Sequence, residues 1–230
     1  MRESLHNPYI SVADGASLSY GGSQILLPGK AERAVGCGVI AGLDLLLYLS
    51  RWHGDGRGIG LKLPVPAERP IPLERYNALA QALRRAYLPL IPGHGINGLM
   101  LALGLNACLH RAKLPYTAFW GVPYARLWDE MAEMLRQDIP VIFSIGPNFP
   151  LFWQHQKLRL YRQRPDGAYL PGPLTHAHYV TVTGMDDEWL RIASWGRQYF
   201  IRREEYLAYV KEHSARLVSN ILLVKKRPLR

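Results

Sequence analysis

The sequence is poor in cysteine, has no long apolar run and has no acidic excess. Cys37 and Cys108 are the only cysteines among 230 residues. Two thiols exclude a disulfide scaffold, and a chain of this length buries a core without staples. The C-x-x-C pairs of a zinc ribbon are absent. The longest apolar run, Val39 to Leu49, is interrupted by Asp44. It is too short and too polar for a membrane span and reads as a buried helix. No apolar run follows the basic start of the chain, which predicts no secretory signal and a cytoplasmic protein. The glycines of Gly56-Arg57-Gly58-Ile59-Gly60 follow no strand and precede no Gly-Lys-Ser/Thr, so no phosphate loop is expected. With no metal, nucleotide or flavin motif, no cofactor is expected.

What is present is an ordinary globular composition, 48% hydrophobic and 20% charged. The net charge of +10 favours anionic partners. Twelve basic residues lie in 1–115 and sixteen in 116–230, so no basic tail dominates. The densest group is Lys157, Arg159, Arg162 and Arg164. A nucleic-acid-binding protein using that face is one alternative reading.

Periodicity divides the chain. Turn signals at Asp14-Gly15, Gly21-Gly22 and Pro28-Gly29 separate short β-like pieces, including Gln24 to Leu27. Helices are expected at about 34–51, 73–88, 96–113 and 123–137, with 53–72 as a surface loop. The period then changes from 3.6 to 2. Strands are expected at 140–145, 157–161, 178–184, 189–195, 199–201 and 218–225, with a helix over 204–212. Helices first and strands later make an α+β fold in a single domain, 1–230. Its helical half spans about 34–137 and its sheet half about 139–226.

Two residues carry candidate chemistry. Cys37 opens the most apolar helix between Gly36 and Gly38, where a helix N-terminus lowers a thiol pKa. A small buried core residue is the bland alternative. His178 opens the strand His178 to Gly184 and shares its face with Val180 and Val182. His176 shares that face if the strand extends to it. Asp44, seven residues after Cys37, lies on roughly the same helical face and needs a hydrogen-bonding partner. Cys108 reads as inert core, and His94 and His110 as loop and helix-surface residues.

Together, Gly36-Cys37-Gly38, His178 to Gly184, Ala193-Ser194-Trp195-Gly196 and the strand Pro140 to Phe143 resemble the papain-like cysteine peptidases. The bacterial branch that includes bacteriocin-leader (double-glycine) peptidases is the closer likeness. The resemblance spans about residues 34–201. It implies a helical half carrying Cys37 packed on an antiparallel sheet carrying His178. It also implies a thiolate–imidazolium pair that forms an acyl-enzyme on a peptide or other acyl or amide substrate. Peptidase, amidase and acyltransferase share that step. A non-catalytic peptide- or acyl-binding module on the same scaffold is the other reading.

The family's Asn or Asp that orients the histidine falls on Ala193. If Val182 pairs with Leu190 and Val180 with Ile192, then His178 pairs with Ser194. Ser194 is therefore expected as the third member, and Trp195 beside it. The family's oxyanion glutamine, about six residues before the cysteine, falls on Ala31. Gln24 is the expected substitute.

Overall fold

The computed structural model describes residues 2–55, 58–148 and 156–227, and is built around one apolar helix. A short helix α1 (Lys30–Val35) ends at Gly36, and α2 (Cys37–His53) begins with the next residue. A Cβ on Gly36 would run into the Glu32 carbonyl, so only glycine fits this joint. The helix expected over 34–51 is therefore α2, which starts at Cys37, while residues 34–35 end the separate α1. All residues from Gly38 to Ser50 are buried, so α2 is apolar on every side and central.

The chain starts with β1 (Glu3–Ser4) and a hairpin of β2 (Ser11–Asp14) and β3 (Ser17–Tyr20). Gln24–Leu26 is a 3₁₀ turn, not the expected β-like piece. Gln24 and Leu27 are buried while Ile25 and Leu26 are exposed. That spacing of three belongs to a 3₁₀ turn and not to a strand. The 53–72 loop is less superficial than expected. Ile59 is fully buried, and Gly60 packs against the backbone of Cys108. Gly56 and Arg57 lie outside the described residues.

After α2 come β4 (Ile71–Pro72), α3 (Leu73–Ala86), α4 (Gly98–Arg111), β5 (Tyr116–Trp120), α5 (Leu127–Arg136) and β6 (Val141–Ile145). Then follow β7 (Leu158–Gln163), β8 (Tyr169–Thr175), β9 (His178–Met185), β10 (Trp189–Ser194), β11 (Arg197–Arg202), α6 (Arg203–His213) and β12 (Ile221–Lys226). The large sheet has the order β5-β12-β6-β9-β10-β11-β7-β8, with β1 added to β9. Its named pairs are antiparallel. Thus β5, in the gap between two helices of the expected helical half, is a sheet strand. It pairs with β12, a partner that no local pattern reveals.

Residues of β9 alternate between two layers. Gly38 of α2 packs on Tyr179. On the other face, Phe143, paired with Val180, packs on Tyr206 of α6 with ring centroids 4.5 Å apart.

Candidate active site

Cys37 owes its place to the Gly36 joint. The backbone amides of Tyr179, Gly38 and Cys37 itself favour its thiolate form. The residue keeps partial exposure, but burial of the thiol is the largest influence and pushes its pKa up despite these donors. The expected depression at the helix start is thus overturned for the free protein. Desolvation disfavours a thiolate more than three backbone donors favour it.

His178 follows Ala177, whose φ of +48° turns the chain into β9. Its Nε2 lies 2.8 Å from Ser194 Oγ, and both residues are buried. The Trp195 ring stacks on the imidazole at 4.7 Å and 16°. Burial pulls the His178 pKa from 6.5 down to about 4. Both shifts favour the neutral forms, a thiol and an imidazole lining one cavity, over the thiolate–imidazolium pair implied by the resemblance.

The hairpin reaches this geometry by a different register from the one expected. Ile192 pairs with Val182 and Ala193 with Thr181, while Leu190 pairs with Met185 across a bulge. Continued by one step, Ser194 stands opposite Val180. The register has slipped by two residues, so Ser194 keeps the parity of His178. Ser194 pairs with Arg197, so Trp195-Gly196 is the two-residue loop of the next hairpin. Both have positive φ, +49° and +72°, as a type I′ turn demands. This unusual backbone for a tryptophan brings its ring over His178.

Asp44 is 2% exposed and accepts from Tyr76 Oη at 2.6 Å, Tyr9 Oη at 3.0 Å and the Gly22 amide at 3.0 Å. Burial raises its pKa from 3.8 to about 6. The anchoring partner required by the sequence is thus three donors. Gly22 O in turn accepts from the Gly196 amide, and Gly196 O from the Tyr20 amide. Asp44 therefore holds the segment that holds the Trp195-Gly196 turn. Tyr9, Tyr76 and Gly22 were not legible as site residues, although the Gly21-Gly22 pair was a visible signal of close backbone approach. A Cβ on Gly22 would collide with the Tyr76 hydroxyl.

Gln24 is buried and donates from Nε2 to Arg33 O at 3.0 Å. That amide hydrogen closes the end of α1, while Nε2 stands 3.5 Å from Ala34 O, a weak contact. The Ala31 side chain lies outside the described residues. His176 is a correction. β8 ends at Thr175 and β9 starts at His178, so His176 sits in the turn and shares no strand face with His178. Cys108 is fully buried in α4, and burial pushes its thiol up to about 12.

Cys37, Gln24, Asp44, His178, Ser194 and Trp195 line one cavity of about 20 Å³, room for about one water molecule. The basic group of β7 forms no single face. Arg159 and Arg162 have opposite parity on one strand. Arg159 donates to Gly172 O, Arg162 lies over the Tyr199 ring and Arg164 pairs with Asp166.

Neither known family models nor curated proteins match the sequence. Among solved structures, a Bacillus anthracis protein described provisionally as a C39-like peptidase aligns over 100% of both chains. The identity is 13% and the TM-score 0.52. The fold is papain-like. Within it, a helix start carrying a cysteine meets a sheet strand carrying a histidine. Among the described residues, no helix is long and apolar enough to cross a membrane.

Proposed function

We propose that the protein is a cysteine-dependent peptidase or amidase that forms an acyl-enzyme at Cys37. The observation that carries this reading is the convergence of Cys37, His178 and Ser194 on one cavity, with His178 Nε2 engaged by Ser194. That engagement reserves Nδ1 for the thiol. With Nε2–H donating to Ser194 Oγ, Nδ1 holds the lone pair that accepts the thiol proton.

Because both partners rest neutral, proton transfer accompanies attack on the acyl carbon. The charge that develops on sulfur meets the amides of Tyr179, Gly38 and Cys37 and the positive end of α2. The imidazolium then gives its proton to the leaving amine. Water, or an amine in a transferase, completes the turnover. The Cys37 amide and the Gln24 side chain are the proposed oxyanion donors. The motif order in the sequence supports the double-glycine branch, so a peptide with Gly-Gly before the scissile bond is the first substrate to try.

The test is intact-mass detection of a covalent adduct after exposure to p-nitrophenyl acetate. An acetyl group on Cys37 that survives Cys108→Ser and vanishes in Cys37→Ala and His178→Ala supports the reading. No adduct on Cys37 overturns it. The resting neutral pair and the small cavity favour one second reading, a papain-like module that binds a peptide or acyl chain without cleaving it. Retention of the Gly-Gly peptide, uncleaved, by the unmodified protein would establish that instead.

A further inference from the structure

A second and larger cavity lies at the other end of the β9–β10 hairpin and shares no lining residue with the first. It holds about 280 Å³, near the lower end of small-ligand sites. Sheet curvature creates it. Tyr169 of β8 and Trp189 of β10 are three strands apart in the sheet order. In a flat sheet that separation would be about 14 Å. Their rings instead stack at 3.9 Å and 15°. Strands β10, β11, β7 and β8 therefore bend enough to bring the two rings together, and residues of β1 complete the lining.

One wall is aromatic. Phe200 stands edge-on to Tyr169 at 5.1 Å, beside the Tyr169–Trp189 stack. A second wall is cationic. The Arg191 guanidinium lies over Gly184, where a Cβ would stand 2.8 Å from Nη2. Glycine near the end of β9 leaves room for the guanidinium in this position. Nη2 donates to Thr183 O at 3.1 Å, while the buried Nε makes no hydrogen bond. Arg2 and Gln198 add further donors, while Gln163 Nε2 already donates to Gly167 O at 3.3 Å.

The cavity also has two acids, and both are engaged. Glu3 pairs with Arg136 at 3.5 Å. Asp186 accepts from the amides of Glu188 and Trp189 at 2.9 and 2.7 Å. Arg191 Nε is thus an unused donor beside a flat wall.

We propose that this cavity binds a small organic carboxylate carried on a planar ring. The ring would lie along the Tyr169–Trp189–Phe200 wall, and the carboxylate would meet the Arg191 side.

The test titrates ¹⁵N-labelled protein with benzoate and indole-3-carboxylate, with uncharged benzamide as the control. The readouts are the Trp189 indole N–H and the Gly184 and Gln198 backbone amides. Saturable shifts at these positions are expected with both carboxylates, and binding roughly tenfold weaker with benzamide, the worth of one charge-assisted hydrogen bond. Arg191→Gln should weaken the carboxylates by a similar factor. Gln198→Glu changes an exposed position and keeps the test decisive if the first variant fails to fold. It should weaken the carboxylates and leave benzamide unchanged. No saturable shift in the millimolar range overturns the proposal. So does equal binding of benzoate and benzamide, or carboxylate binding indifferent to Gln198→Glu.

Discussion

His178 and Ser194 are joined by a 2.8 Å hydrogen bond inside a buried pocket, where a longer polar side chain would be expected from Ala193. In the proposed mechanism the orienting role falls to the next residue along the chain, and the hydroxyl reaches the ring because the two residues share one face. Ser194→Ala should lower kcat/KM by about 3- to 10-fold, the worth of one neutral hydrogen bond. Ser194→Asp should raise the His178 pKa above its present value of about 4, because a carboxylate favours imidazolium. Kinetics of both variants on one peptide substrate, with a histidine titration by NMR, check this pair of outcomes.

The pH behaviour follows from two opposite shifts. His178 is lowered to about 4, so the acid limb of kcat/KM for the free enzyme should lie near that pH and not near 6.5. Cys37 is raised, so iodoacetamide should alkylate it in Cys108→Ser protein with a midpoint above that of an ordinary thiol, ~8.5. A midpoint below that value would show that the resting pair is charged.

Stability should carry the same signature. Between pH 6.5 and about 4 the unfolded chain protonates His178 while the native state does not. That group therefore removes stability as pH falls through this window. Asp44 acts the other way. Its native pKa of about 6 exceeds 3.8, so stability attributable to it rises as pH falls from about 6 to 4. Denaturant titrations of His178→Ala and Asp44→Asn across this range should shift the profile in opposite directions.

Asp44→Asn should cost about 1–3 kcal/mol, since an amide cannot satisfy three donors as a carboxylate does. It should also slow turnover, because the Gly22 segment holds the Trp195-Gly196 turn. Gly22→Ala should be at least as destabilising, given the collision with Tyr76. Thermal melts and kinetics on the same samples check whether stability and turnover fall together.

Trp195→Phe should keep most of the ring contact on His178, whereas Trp195→Ala should lose it. Aromatic contacts of this kind are worth about 0.5–1.5 kcal/mol, so turnover should rank Trp, Phe, Ala. Gln24→Ala tests the oxyanion assignment directly. A loss of about 10²-fold in kcat is expected for one donor, and unchanged turnover removes Gln24 from the site.

The sequence exposed the elements whose cause is local. Glycine-flanked Cys37, the alternation of His178 to Gly184 and the apolar run of α2 each announce themselves within a few residues. Ser194 was legible because parity survives any even slip of register, even though the pairing itself was two residues off. The rest depends on distant partners. β5 exists because β12 pairs with it, and Asp44 is satisfied by tyrosines from the N-terminal segment and α3. The pKa directions were misread for the same reason. A helix start is visible in sequence, but the depth at which its thiol is buried is set by the sheet.

The position of β12 has a consequence for how the molecule is made. This strand is synthesised after every residue of the candidate site, yet it inserts between β5 and β6, and β6 is the direct neighbour of β9. Strand β5 cannot join the rest of the sheet until that late strand arrives. Pairing across so long a span slows folding, so the far edge of the sheet is completed last.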